Sequence, residues 1–121
     1  MPEFDKEAAR LALRTFKRLV RSRQFHVLRT QKNTDASIQL GLTKHNRREA
    51  ILGLTVLDYS SGPELDHDRP GVVWIFGTTI RSIEIYIKIK IVEGEFRDQA
   101  VCLSFHPAES PLDYPFRENK S

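Results

Sequence analysis

The chain has 121 residues and a mass of 14.0 kDa, with 40% hydrophobic and 29% charged residues, which excludes wholesale disorder and leaves room for one domain only. Its net charge of +3 is unevenly placed: residues 1–48 hold twelve Lys/Arg against four Asp/Glu, a balance of +8, and the rest hold seven against twelve, a balance of −5. A basic half attracts polyanions such as nucleic acid or serves as a solvated face. No apolar run approaches the roughly 18 residues of a membrane span, and acids stand in Met-Pro-Glu-Phe-Asp-Lys where a signal peptide needs a basic and then apolar stretch, so a soluble cytoplasmic protein is expected.

Residues 5–23 read as an amphipathic helix. Ala9, Ala12, Leu13, Phe16, Leu19 and Val20 recur at three- and four-residue spacing, while Arg10, Arg14, Lys17, Arg18 and Arg21 fall opposite. Asp5 is the expected cap and Phe4 a hydrophobic staple. Gln24 to Leu28 reads as a short strand, and residues 29–37 as a polar loop or loose helical turn. Thr43 caps a second helix from about Lys44 to Leu54, with Ala50, Ile51 and Leu54 inward and Arg47 and Arg48 outward. Thr55-Val-Leu-Asp is a capping-box pattern that predicts a short helical turn. Turn signals at Ser60-Ser61-Gly62-Pro63 and Arg69-Pro70-Gly71 bracket a loop or edge strand.

The remainder reads as β. Val72 to Thr78 is a buried strand in which core packing of Trp74 and Phe76 outranks base stacking. Ile83 to Val92 alternates, with Ile83, Ile85, Ile87, Ile89 and Ile91 on one face and Glu84, Tyr86, Lys88 and Lys90 on the other. Gln99 to His106 follows, with Val101, Leu103 and Phe105 inward. Pro107, Pro111 and Pro115 forbid a regular tail, which Leu112, Tyr114 and Phe116 would dock in extended form. The expected fold is α+β, with N-terminal helices packed on one face of a mainly antiparallel sheet; residues 1–121 form a single domain and 107–121 a docked tail.

The last two strands should form a hairpin in which the apolar faces coincide. One register pairs Lys90 with Cys102, Lys88 with Ser104 and Tyr86 with His106; another sets Lys88 against His106. Either way Tyr86, Lys88, Lys90, Ser104 and His106 share the open face, as does Cys102, an inert thiol that has no second cysteine for a disulfide. Metal-independent RNA cleavage needs a base for the ribose 2′-OH, a cation for the charge on the phosphorane and an acid for the departing 5′-oxygen. Lys88 would neutralise phosphate, His106 would exchange protons, and Tyr86 would stack, orient or donate a proton. The alternative is an ordinary polar sheet face. Asp66, His67 and Asp68, with His106 and Glu109, offer carboxylates and imidazoles, but their spacing matches no ligand pattern. A polar turn is the preferred reading, and neither metal nor cofactor is expected.

The succession Leu40-Gly-Leu-Thr43, Asp58-Tyr59, Ser61-Gly-Pro-Glu-Leu-Asp-His-Asp-Arg-Pro-Gly71, Val73-Trp-Ile-Phe-Gly77, Ile85-Tyr-Ile-Lys-Ile-Lys90 and Cys102-Leu-Ser-Phe-His-Pro-Ala-Glu109 resembles the MqsR family of bacterial toxins, over most of the chain to about Phe116. The resemblance implies a RelE-like fold and the toxin of a type II toxin–antitoxin system, a metal-independent endoribonuclease (mRNA interferase) acting on mRNA at preferred sequences. It also implies a cognate antitoxin, expected to be a small DNA-binding protein. No membrane partner is expected, and a homodimer is left open. Tyr86 and Lys88 correspond to the family's Tyr-x-Lys pair. The chain departs from the family at two stations, near Ser61 where the family has a catalytic lysine and near Gly71 where it has a glutamine; Arg69, His67 or His106 would substitute. The expected catalytic set is Tyr86, Lys88 and His106, and the expected RNA-binding set is Lys90, Arg69 and His67 with Arg14 and Arg18 of the first helix. The alternatives are a non-catalytic RNA- or protein-binding module of the same fold and a metal-dependent hydrolase.

Overall fold

A computed structural model describes residues 5–118. Helix α1 (Lys6–Arg21) begins at Asp5, whose carboxylate accepts from the Ala8 amide at 3.0 Å. The expected staple from Phe4 lies outside the described residues. The chain continues through strand β1 (Phe25–Val27), helix α2 (Gln31–Leu40), helix α3 (Lys44–Leu52) and a single 3₁₀ turn (Val56–Asp58). Strands β2 (Tyr59–Leu65), β3 (Val72–Ile80), β4 (Ile83–Val92) and β5 (Gln99–Pro107) follow. Capping boxes at Thr43–Asn46 and Thr55–Asp58 satisfy the free amides that start α3 and the 3₁₀ turn.

The five strands form one mixed sheet in the order β1-β5-β4-β3-β2, with β1 parallel to β5 and the other neighbours antiparallel. This is an α+β fold with helices packed against the sheet. The stripe Ala9, Leu13, Phe16, Leu19 and Val20 of α1 meets Ile85, Ile87 and Ile89 of β4 together with Phe76, Phe105, Ile51 and Leu54. Burying each large apolar side chain stabilises the fold by roughly 1.5–3 kcal/mol. The β3–β4 hairpin turns through two residues, Arg81 and Ser82, at φ 52° and 68°. This is the left-handed pair whose twist matches that of the flanking strands. The Arg81 guanidinium reaches back to the Leu40 carbonyl at the end of α2.

Two expectations are corrected. Residues 29–37, expected as a polar loop or loose helical turn, enter a full helix, because Thr30 caps α2 through the Asn33 amide and Asn33, Ala36 and Leu40 form its buried stripe. Cys102 does not lie on the open face. The hairpin keeps the pairs Tyr86–His106 and Lys88–Ser104 but then shifts to Ile89–Cys102 and Lys90–Val101, leaving Leu103 as the extra residue of a β-bulge. One inserted residue reverses every face beyond it. Cys102 thus enters the core at 0% exposure, and Val101, expected inward, passes to the side of Lys90.

Asn33 pins the bulge to α2. Its amide nitrogen donates to the carbonyls of Leu28 and Leu103 at 2.9 and 3.0 Å, and its oxygen accepts from the Phe105 amide at 2.8 Å. The segment after β5 crosses the open face. Leu112 and Tyr114 donate to the two oxygens of Glu84 at 3.0 and 2.7 Å, and Gly77 lies beneath them. The chain then turns the sheet edge, where Phe116 stacks on Tyr59 and Arg117 bonds Leu57 and Asp58.

Candidate active site

Strand alternation carries Tyr86 and Lys88 of β4 to the face away from the helices, and β5 sets His106 and Ser104 directly opposite them. The Tyr86 and His106 rings stack with centroids 5.5 Å apart and planes 21° from parallel. His106 Nδ1 lies 3.0 Å from the Pro107 carbonyl. A carbonyl only accepts, so this contact fixes the proton on Nδ1 and leaves Nε2 as the nitrogen free to take or give one. Among the described residues Lys88 has no hydrogen-bond or ion-pair partner.

These four side chains line a cleft of about 570 Å³. Thr30, Gln31 and Lys32 at the start of α2 form one wall, and Glu109, Ser110 and Leu112 after β5 form another. Lys32 and Glu109 join these walls through an exposed ion pair. The bond to Lys32 holds the Glu109 carboxyl below its ordinary range, and His106 adds a smaller pull in the same direction. Burial raises the Tyr86 hydroxyl above its ordinary value, and the charges of Glu64 and Glu109 raise it further. Tyr86 is therefore a proton donor at neutral pH and not a base.

The remaining site residues expected from the sequence are not in this cleft. Lys90 is 5% exposed, and its ammonium donates to Asp66 at 2.6 Å and to the Pro70 carbonyl at 2.7 Å. It fastens the β2–β3 connection and has no free charge for RNA. His67 and Arg69 are exposed on that connection and line no wall of the cleft. Arg14 and Arg18 are exposed on α1, across the sheet from Tyr86. Asp66 belongs to Lys90, and among the described residues no three His, Cys, Asp or Glu side chains gather in a metal-binding group. Gly71 has φ +109° and a Cβ there would meet Lys90 Cε at 3.0 Å, so this station takes no longer side chain while Lys90 keeps its place. Ser61 shares a cross-strand row with Ile75 and Lys88, two strands or about 10 Å from the latter.

The wall formed by Thr30, Gln31 and Lys32 escaped the sequence reading because it belongs to a helix expected only as a loop or loose turn. Its signal was present: a threonine three residues before a buried asparagine, followed by Ala36 and Leu40 at helical spacing. Compared with protein-family models, with curated proteins and with solved structures, the chain matches none of them.

Proposed function

We propose that the protein is a metal-independent endoribonuclease, the toxin of a toxin–antitoxin pair, acting on mRNA in the cleft between β4, β5 and α2. The observation that carries this reading is the meeting of an unpaired ammonium, a protonated phenol and an imidazole in one open cleft. Lys88 neutralises the scissile phosphate as charge builds on it. His106 Nε2 takes the proton of the 2′-hydroxyl or returns one to the leaving 5′-oxygen. Tyr86 donates to a phosphate oxygen, and its ring holds the imidazole face. In the cell a cognate antitoxin, a small DNA-binding protein, holds the enzyme inactive.

Incubation with a long mRNA in EDTA tests the reading: cleavage is expected, and intact RNA at every protein concentration excludes it. Lys88→Ala and His106→Ala should each slow cleavage by about 10²-fold or more. Wild-type rates in both would remove the site. Ser61 and Gly71, at stations where the resembled family carries a lysine and a glutamine, favour a second reading, a binding module that no longer cleaves. Induced expression in a bacterial host separates the two: growth arrest in the wild type but not in Lys88→Ala supports the nuclease, and unaffected growth with soluble protein supports the module.

A further inference from the structure

On the other side of α2 lies a second groove, of about 440 Å³, walled by β1, the residues that follow it, α2 and α3. Arg29, Lys44, Arg47 and Arg48 line it together with His26, and no Asp or Glu does. Arg48 has an exposed partner in Glu49 at 3.3 Å. The Arg47 guanidinium has none: its Nε is buried and finds no acceptor among the described residues. A buried donor without an acceptor is uncommon in folded proteins and is satisfied when an anion or water enters. The first turns of α2 and α3 carry no acid, so no carboxylate there opposes the positive field of these cations. The groove shares a wall with the cleft of Lys88: Thr30, Gln31 and Lys32 line one, and Arg29 and Thr34 the other.

We infer that this groove is a second phosphate station for the same single RNA strand, a few nucleotides from the scissile bond. The inference rests on the nuclease reading and states where the strand runs once it leaves the cleft. A helix with its side chains is about 10–12 Å across, so a strand passing over the start of α2 brings later phosphates onto Arg29, Lys44 and Arg47. The groove holds phosphates by charge and carries no base-reading set, so it grips without sequence preference.

The test measures binding of 2′-O-methyl RNA, which cannot be cleaved, as the oligonucleotide is lengthened from 3 to 15 nucleotides. Wild-type affinity should rise with length. The double variant Arg29→Gln/Lys44→Gln, both exposed and harmless to the core, should lose that rise and bind the longest RNA about tenfold more weakly. Its salt dependence should flatten by about 1.4, the value for two lost contacts with a single strand. Lys88→Ala should weaken short and long RNA alike. A length-dependent rise that survives the double variant overturns the second station and leaves the nuclease reading standing. No RNA binding by the wild type overturns both. Displacement of RNA by poly-glutamate at equal charge overturns the station in favour of an acidic protein surface.

Discussion

Tyr86 holds its hydroxyl in a half-buried cleft near the charges of Glu64 and Glu109, and all three influences keep it protonated above the ordinary phenol range. Tyr86→Phe keeps the stack on His106 and removes only the proton, so cleavage should slow by about 10–10²-fold while RNA affinity holds. Tyr86→Ala should weaken both. A phenol raised in this way keeps its proton through the neutral range, so an alkaline limb near neutral pH does not belong to Tyr86, and the rate–pH profile of the Phe variant checks this. Cys102 answers to the same physics. Burial pushes its thiol up to about 12, its S–H donates to the Ser104 carbonyl at 3.2 Å, and the thiolate that reacts is not formed near pH 8. Iodoacetamide at that pH should label the protein in urea and leave the native protein unlabelled.

Helix α2 holds one wall of the cleft, and its attachment to the sheet depends on Asn33. The parallel pairing of β1 with β5 ends at Cys102, so the backbone groups of Leu103 and Phe105 reach the edge without a strand to meet them. Asn33 replaces that strand with two hydrogen bonds, to the Leu103 carbonyl and from the Phe105 amide, and a third to the Leu28 carbonyl ties in the residue after β1. Asn33→Ala leaves several buried backbone groups unsatisfied and should reduce stability by about 2–3 kcal/mol, read from urea unfolding. Cleavage should fall as well, because Thr30 to Lys32 move with the helix. The segment over the open face depends on a bare glycine in the same way. A Cβ at Gly77 would strike the Tyr114 hydroxyl and the Leu112 side chain, so Gly77→Ala should lift residues 108–118 and open them to limited proteolysis.

At the scale of the whole molecule, an ion pair between Lys90 and Asp66, both less than a tenth exposed, helps tie the β2–β3 connection to the sheet. The bond from Lys90 holds the Asp66 carboxyl at about 2, below its ordinary 3.8. A carboxyl depressed in the folded state favours folding above its unfolded value, and this contribution fades as pH falls from about 4 towards 2. The unfolding midpoint of the wild type should drop across that window, and Asp66→Asn, less stable at pH 6, should drop less. The +8 of the first 48 residues does not form one surface. Arg14 and Arg18 lie on α1 behind the sheet, Arg29 and Lys44 beside β1, and Lys32 at the cleft.

Periodicity alone placed α1 and the isoleucine face of β4, because an amphipathic stripe or a strict alternation has one way to bury its apolar side. It also set Tyr86, Lys88 and His106 on a common face, since the pairs nearest the open end of the hairpin precede the bulge. Nothing local announced that bulge. Leu103 is surplus in the pairing with β4, and Asn33, seventy positions earlier, meets the backbone groups of Leu103 and Phe105 that no strand reaches. The bulge sent Cys102 into the core, while Lys90 kept its face and was covered there by Asp66 and Pro70 of the β2–β3 connection. Alternation assigns a side chain to a side of the sheet, but whether that side holds solvent, an aspartate or a core is set by segments distant in sequence, whose approach depends on the packing of the entire chain.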